Sequence, residues 1–592
     1  MSSFPVRSTR LPRRGSLLAT VLCTAVLVAL LGSVGSVGSV GSAGSAERTM
    51  QVIVRAEGGV AGARQAVSRA GGTVVRPLQL VGGVAARLER SQVHRLARSA
   101  GVLGVSPDAR GHLSSVDPTL GYDATGDFGS LYNVTRVAGV QAAWKAGYTG
   151  KGVDVALLDS GVSQVTGLTS GNVVNGPDLS FESQDPELAH RDTFGHGTHM
   201  ASIIVGRDAV ANPAMYADAK RFVGVAPDAR VVSIKIAAAD GAVDVSQVIA
   251  GLDWVTQHAH DPGLNIRIVN LSFGTDSTQD YRLDPLAFAS EAAWHKGIVV
   301  VVAGGNDGTE HPTLSDPAMD PTVIAVGAED PMGTVTTNDD TVPAFATRGT
   351  TTRHVDLVAP AVHVLGLRDP GSDIDLANPL GRVGTRFLRG SGTSQATAVV
   401  SGAAAILLQH YPKLTPDQVK KMLMTSATGF PGASSLYRGS GALDVGKALS
   451  AGPSTVAASQ PYGTGTGSLE MARGSAHVAA GGTDLVGEQD IFGARWVGAT
   501  WAPLSWAGNA WTGGSWNGKA WTGSGWTDTS WLGTTWAGTT WLGTDWAGAD
   551  WSSHSWTSHS WTSTGWTGGD WSSHSWTSHS WTGSTWAGFA WS

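Results

Sequence analysis

Apolar positions change their pattern several times along the chain. Over residues 17–31 they run on, broken only by Thr20 and Thr24. Arg7, Arg10, Arg13 and Arg14 precede this run, and no acidic residue occurs before Glu47. A basic segment followed by about fifteen apolar residues is the layout of a secretory signal and falls short of the roughly 20 residues that span a bilayer. Gly-Ser-Val triplets and a Gly-Ser-Ala-Gly-Ser-Ala stretch follow. Their small residues suit signal peptidase and predict cleavage near Ala46; the alternative is an uncleaved anchor extended by the triplets to about Val40. From 47 to 112, short apolar runs at 51–55 and 73–80 read as strands, and 102–105 closes the unit. Val93, Leu96 and Ala97 mark one face of a helix over 91–99. This is a small α+β domain of about 65 residues, marginally stable alone.

Between 113 and 450 the apolar runs are longer and do not alternate. They recur at 153–158, 231–236, 266–271, 298–303, 323–326 and 355–358, mostly as Val and Ile. Strands buried on both faces read this way, so a parallel sheet is expected. Helical spacing alternates with them at 137–145, 245–258, 285–296, 394–410 and 416–425. The predicted class is α/β, a parallel sheet flanked by helices, with ligands beyond the carboxyl ends of the strands. Residues 451–495, rich in Gly, Ser and Ala, read as linker. From Trp496 to Trp591 a tryptophan stands at every fifth position, twenty in all.

Composition narrows the classes. The chain has 592 residues and 42 % apolar residues before its 79 glycines are counted, enough for several cores. A net charge of -7 with 15 % charged residues offers no basic surplus for nucleic acid. The single cysteine, Cys23, lies within the apolar leader and lacks the setting of a lipoprotein anchor. Intramolecular disulfides and cysteine-based metal sites are excluded.

Candidate chemistry stands at three element ends. Asp159 closes the strand Val-Asp-Val-Ala-Leu-Leu ahead of Ser160-Gly161; taken alone it also reads as a turn residue. His196 opens a helix in Gly-His-Gly-Thr-His-Met-Ala-Ser. His199, three residues on, raises a metal pair as the rival, although no third ligand of a zincin pattern accompanies it. Ser394, in Gly-Thr-Ser-Gln-Ala-Thr-Ala, starts another helix. There, free backbone N–H groups and the positive end of the dipole favour an oxyanion beside Oγ; a plain N-cap is the bland alternative.

The three segments, in the order Asp159, His196, Ser394, resemble the signatures of the subtilisin-like serine proteases. So do Gly224-Val-Ala-Pro-Asp-Ala, Asn270-Leu-Ser-Phe-Gly, Ala303-Gly-Gly-Asn306 and Val323-Ile-Ala-Val-Gly-Ala, and together they cover about 136–450. The resemblance implies a three-layer subtilisin-like fold and an Asp159–His196–Ser394 triad that hydrolyses peptide bonds through an acyl-enzyme. It implies Asn306 as the side-chain oxyanion donor and Ser272, Phe273 and Gly274 as a strand that pairs with substrate. Ala303, Gly304 and Gly305 would line the pocket for the residue before the scissile bond. Residues 47–112 resemble, in size and pattern, the family's inhibitory propeptide, with self-cleavage expected between about 111 and 130. No cofactor is required and no metal site is expected; structural calcium is implied by the resemblance alone. Two departures stand out: Ala398-Val399 where the family usually carries Pro-His, and Gln395 for Met. Surface insertions are expected around 207–222 and 368–389.

The tail stands apart from that resemblance. A step of five builds no helical stripe and alternates faces along a strand. The twelve residues from Trp551 to Thr562 recur identically from Trp571 to Thr582, twenty residues on. Four fives per coil is the register of a β-solenoid with stacked rings; low-complexity disorder is the alternative. Tryptophan faces suit sugars, which makes cell-wall glycan a candidate partner, and the four repeat histidines read as solvated. The whole reads as a secreted or surface-associated, monomeric protease made as a zymogen. The alternative is a surface-binding protein whose protease domain is vestigial.

Overall fold

A computed structural model describes residues 49–108, 120–183, 185–308, 312–456, 462–480 and 483–521, and two short strands at 559–561 and 579–581. The predicted signal lies outside the described residues. The chain divides into two compact units, one ending at His112 and the other beginning at Leu113.

In the first unit, β1 (Thr49–Ala56), α1 (Gly59–Arg69), β2 (Thr73–Leu78), β3 (Gly83–Glu89), α2 (Arg90–Ala97) and β4 (Val102–Pro107) follow one another. The strands form an antiparallel sheet in the order β2-β3-β1-β4. This is the β-α-β-β-α-β arrangement of ferredoxin-like domains. Val52, Val54, Val67, Val84, Leu88 and Leu96 form its core. Helix α1 and strand β3 add to the elements the sequence pattern had suggested. Gly62 interrupts the helical spacing of α1, where a Cβ would lie 1.8 Å from the Glu57 carbonyl oxygen, and Arg87 breaks the apolar run of β3.

The second unit is built on seven strands: β5 (Asp154–Asp159), β6 (Val173–Asp178), β7 (Arg230–Lys235), β8 (Ile266–Leu271), β9 (Val299–Ala303), β10 (Ile324–Glu329) and β11 (Leu357–Pro360). They pair in parallel in the order β11-β10-β9-β8-β5-β7-β6. Six of the seven coincide with predicted runs. The seventh, β6, is an edge strand whose Asn175, Gly176 and Pro177 break the apolar signal. Helices α3 (Leu131–Val137) and α4 (Val140–Lys145) replace the one helix expected over 137–145, because Gly139 between them adopts a left-handed conformation. The sheet is flanked by α5 (His196–Val205), α6 (Val245–His258), α7 (Pro285–His295) and α9 (Thr393–His410), and the short α8 (Asp373–Ala377) lies in the chain between β11 and α9. Helix α9, buried along most of its length, crosses β8–β11 beside α5, while α6 and α7 pack against one another.

The expectation of a linker over 451–495 and a separate repeat after it needs correction. Residues 462–480 and 483–521 fold onto the second unit. Leu469, Ala472, Val478, Leu485, Ile491 and Phe492 join its core, as do Trp496, Trp501, Trp511, Trp516 and Trp521. Two buried carboxylates, Asp244 at the N-cap of α6 and Asp253 within it, hold them. Arg473, wholly buried, pairs with Asp244 at 2.6 Å. Asp253 Oδ2 accepts from Nε1 of both Trp501 and Trp516 at 2.8 Å, and its Oδ1 accepts from Ser505 Oγ at 2.5 Å. Asp253 is buried in the apolar middle turns of α6, Val248–Val255, and needs those donors. Past 521, the described residues are His559–Trp561 and His579–Trp581, paired in parallel with His559 beside His579. That offset is the twenty-residue period; the remaining repeat lies outside the described residues.

Candidate active site

Strand β5 ends at Asp159, and burial on both faces delivers its carboxylate to the carboxyl edge of the sheet. Helix α5 begins at His196, across from it. The imidazole Nδ1 lies 3.0 Å from Oδ1 and 3.1 Å from Oδ2 of Asp159. The backbone N–H and hydroxyl of Ser160 also donate to Oδ1, at 2.8 and 3.2 Å. Burial pushes the Asp159 carboxyl above its ordinary range, and the charge and hydrogen bond of His196 pull it back. Such a pair holds one tautomer of the imidazole and leaves Nε2 to face a reacting group.

The approach of the two elements depends on glycine. A Cβ on Gly197 would lie 2.1 Å from the Gly161 carbonyl oxygen and 3.0 Å from Asp159 Oδ1. Gly195 has φ +100°, open to few other residues, and lets the chain turn into the helix. Asp192, which the motif reading passed over, caps this turn. Its Oδ1 accepts from Gly195 N (2.6 Å) and Ser160 Oγ (2.8 Å), and its Oδ2 accepts from Thr198 N (2.7 Å). Ser160 Oγ in turn accepts from Gly197 N at 3.0 Å. One buried carboxylate thus ties the strand carrying Asp159 to the helix carrying His196. Its signal in the sequence was an acid four residues ahead of the histidine.

His199 is also buried but turns elsewhere, against Gly366 and Gly390 of the hairpin Val364–Leu367/Phe387–Gly390, where a Cβ on Gly366 would meet its ring at 2.8 Å. Burial and the neighbouring His196 push it down to about 3, so it stays neutral. His196 and His199 therefore face different partners, Asp159 and the hairpin. Among the described residues, no group of three His, Cys, Asp or Glu converges as a metal site.

Ser394 is the second residue of α9, buried, with its carbonyl accepting from Ser272 Oγ at 3.4 Å. A polar chain runs on beneath it: Asn270 Nδ2 donates to Ser272 Oγ (3.0 Å), and Ser401 Oγ donates to Asn270 Oδ1 (2.8 Å). It fixes the start of α9 against the end of β8. Asn306 follows β9. Its Oδ1 accepts from both the N–H and the hydroxyl of Thr393, at 2.8 and 3.0 Å. Both donors on Oδ1 fix the amide orientation of Asn306 next to Ser394.

Ser272, Phe273 and Gly274 continue directly from β8, and Thr275 exchanges two backbone hydrogen bonds with Asp316, at 3.0 and 2.9 Å. Ala303, Gly304 and Gly305 leave β9 on the neighbouring side. Gly274 and Gly305 both face Ser315: added Cβ atoms would lie 2.6 Å from its Cβ and Oγ respectively. Gly305 would also meet Thr347 Oγ1, and Gly304 would meet Val355. The two segments therefore share a close-packed wall of small side chains.

The Subtilase family profile matches residues 150–463. Serine protease AprX of Bacillus subtilis (strain 168) is 37 % identical over 281 residues, 46 % of this chain and 61 % of its own length. Subtilisin DY of Bacillus licheniformis is 31 % identical over 301 residues, 50 % of this chain and 91 % of its own. Subtilisin BL of Lederbergia lenta is 32 % identical over 310 residues, 52 % and 95 %. The chain thus spans less than two thirds of AprX and nearly all of the two subtilisins. The span matched by the family profile contains the elements that carry Asp159, His196, Asn306 and Ser394.

Proposed function

The chain belongs to the subtilase family of serine endopeptidases, and from that premise we propose that Ser394, His196 and Asp159 form its catalytic triad. Ser394 Oγ attacks the peptide carbonyl. His196 Nε2 takes the proton and returns it to the leaving amine, and Asp159 orients the imidazole and stabilises its charged form. The backbone N–H of Ser394 and Nδ2 of Asn306 hold the oxyanion, and water then hydrolyses the acyl-enzyme. Substrate lies along Ser272–Phe273–Gly274, with its side chain before the scissile bond entering beside Ala303–Gly304–Gly305. The single observation that carries this reading is the buried Asp159–His196 contact at 3.0 Å, which speaks against a vestigial protease domain.

Residues 47–112 act as an intramolecular inhibitor that is cut off between about 111 and 130, partly outside the described residues. The basic, apolar leader exports the chain, and no helix among the described residues is long and apolar enough to cross a membrane. Polypeptides are the substrates, and the tryptophan repeat beyond 521 holds the enzyme to wall glycan. Ser394→Ala tests the core of the reading. Purified from a host lacking other proteases, it should hydrolyse no peptide and keep residues 47–112 attached. Normal maturation of that variant would overturn the assignment.

A further inference from the structure

The folded extension after 462 meets the loop that continues directly from the proposed substrate strand, beginning at Thr275. Thr275 Oγ1 donates to the Ala472 carbonyl at 2.6 Å, and Ser475 N donates to Asp276 Oδ1 at 2.6 Å. Further along the same loop, Gln279 and Ser468 exchange two bonds, at 2.8 and 3.1 Å. Thr464 N donates to Arg282 O at 2.6 Å, and Gly467 N to Leu283 O at 2.8 Å. The contact is close enough to restrict sequence. Gly474 has φ +59°, and a Cβ there would lie 2.0 Å from Asp276 Oδ1.

The brace has its own anchor. Arg473, between Ala472 and Gly474, is buried against Asp244 and donates to Gly487 O at 2.8 Å. Residues 472–475 are therefore pinned on one side to the N-cap of α6 and on the other to Thr275 and Asp276. From the opposite side, Thr275 is held by its two bonds to Asp316. The segment that follows Ser272–Phe273–Gly274 is thus gripped from both flanks, one grip coming from a part of the chain beyond the matched family region.

We propose that residues 464–475 are a positioning element for substrate binding, with Asp276 and Thr275 as the residues through which they act. This rests on the reading of 272–274 as the strand that pairs with substrate. A peptide that pairs along several residues needs the strand preset in extended form; without the brace, each binding event must order it. A small ester that occupies only the pocket beside Gly304 does not. The brace therefore governs KM for extended substrates and leaves the chemistry at Ser394 alone.

The test compares Asp276→Ala, which removes the acceptor of the Ser475 N–H, with Asp276→Asn, which keeps a carbonyl oxygen in place. Both are made in the full chain and assayed with a tetrapeptide amide and with a single-residue ester. The net worth of one intramolecular hydrogen bond corresponds to roughly five- to tenfold in an equilibrium constant. Asp276→Ala should raise KM for the tetrapeptide by about that factor, with kcat within twofold, leave the ester kinetics unchanged, and be rescued by Asp276→Asn. Equal losses on both substrates, or no change in KM, would overturn the proposal. Thr275→Val, which keeps shape and loses the hydroxyl, should give the same split. Labelling of Ser394 by a fluorophosphonate in the unsubstituted chain tests the underlying reading separately. Label without a KM effect refutes the brace alone, and absence of label refutes both.

Discussion

Trp501→Ala measures how far the extension belongs to the protease core. Trp501 is wholly buried, meets Phe288 edge-on at 5.8 Å and Trp496 at 4.9 Å, and donates Nε1 to Asp253. Truncating a buried tryptophan costs about 3–5 kcal/mol. Taking one donor from a buried carboxylate adds about 1–3 kcal/mol. The sum is a large share of the roughly 5–15 kcal/mol that holds a domain together. Trp501→Phe keeps most of the ring and loses only the N–H, so it should show about 1–3 kcal/mol. Trp506→Ala is the control: Trp506 is half-buried, stacks on His295 at 4.3 Å and makes no hydrogen bond to Asp253, so about 1–2 kcal/mol is expected from its area. The assay is guanidinium unfolding of the full chain, followed by far-ultraviolet circular dichroism, in a Ser394→Ala background that prevents self-digestion. A Trp501→Ala loss no larger than that of Trp506→Ala would refute the reasoning and return the extension to the status of a linker.

Other expectations follow from the same contacts. Gly197→Ala forces a methyl group to 2.1 Å from the Gly161 carbonyl and against the Asp159 carboxylate. Since misplacing a catalytic group by about 1 Å costs roughly 10²-fold, kcat should fall at least that far, and the overpacking should lower stability by about 1–3 kcal/mol. Lys420 Nζ donates to the carbonyls of Pro321 and Val323 at 2.7 Å and pairs with Asp356 at 3.0 Å; Lys420→Met should cost about 3–5 kcal/mol in the same unfolding assay. Burial pushes Asp253 from 3.8 up to about 6. Its folded form holds the proton longer than its unfolded form, so stability present below about pH 4 is lost as pH rises through 6. About two pH units correspond to about 3 kcal/mol, and Asp253→Asn should remove that part of the pH slope. Equal slopes for the two proteins between pH 4 and 7 would contradict it.

Legibility in the sequence tracked how local the physics is. A central strand such as β9, Val-Val-Val-Val-Ala, announces itself because burial on both faces demands an unbroken apolar run. The edge strand β6 does not, since half its surface faces outward and tolerates Asn175 and Gly176. The three ends bearing Asp159, His196 and Ser394 were legible because tight turns there need glycine at fixed places, as Gly197 shows. Asp192 and Thr393 were not, because their work is to orient other residues through distant contacts. The extension was the least legible part. Its Gly, Ser and Ala content reads as a linker, and what folds it is a set of partners more than 200 residues away, Asp244 at the N-cap of α6 and Asp253 within it. The lone acid Asp253 inside the apolar middle turns of α6 was the available signal, and it pointed to missing donors without saying which.

The account turns on Ser394 being the nucleophile beside the Asp159–His196 pair. Reaction of the mature, propeptide-free protein with a fluorophosphonate, followed by peptide mapping in a mass spectrometer, addresses this most directly. One adduct per chain is predicted, on Ser394, and it should be lost in His196→Ala while that variant keeps its unfolding midpoint. An adduct on another residue, or none in a folded and mature protein, would contradict the account.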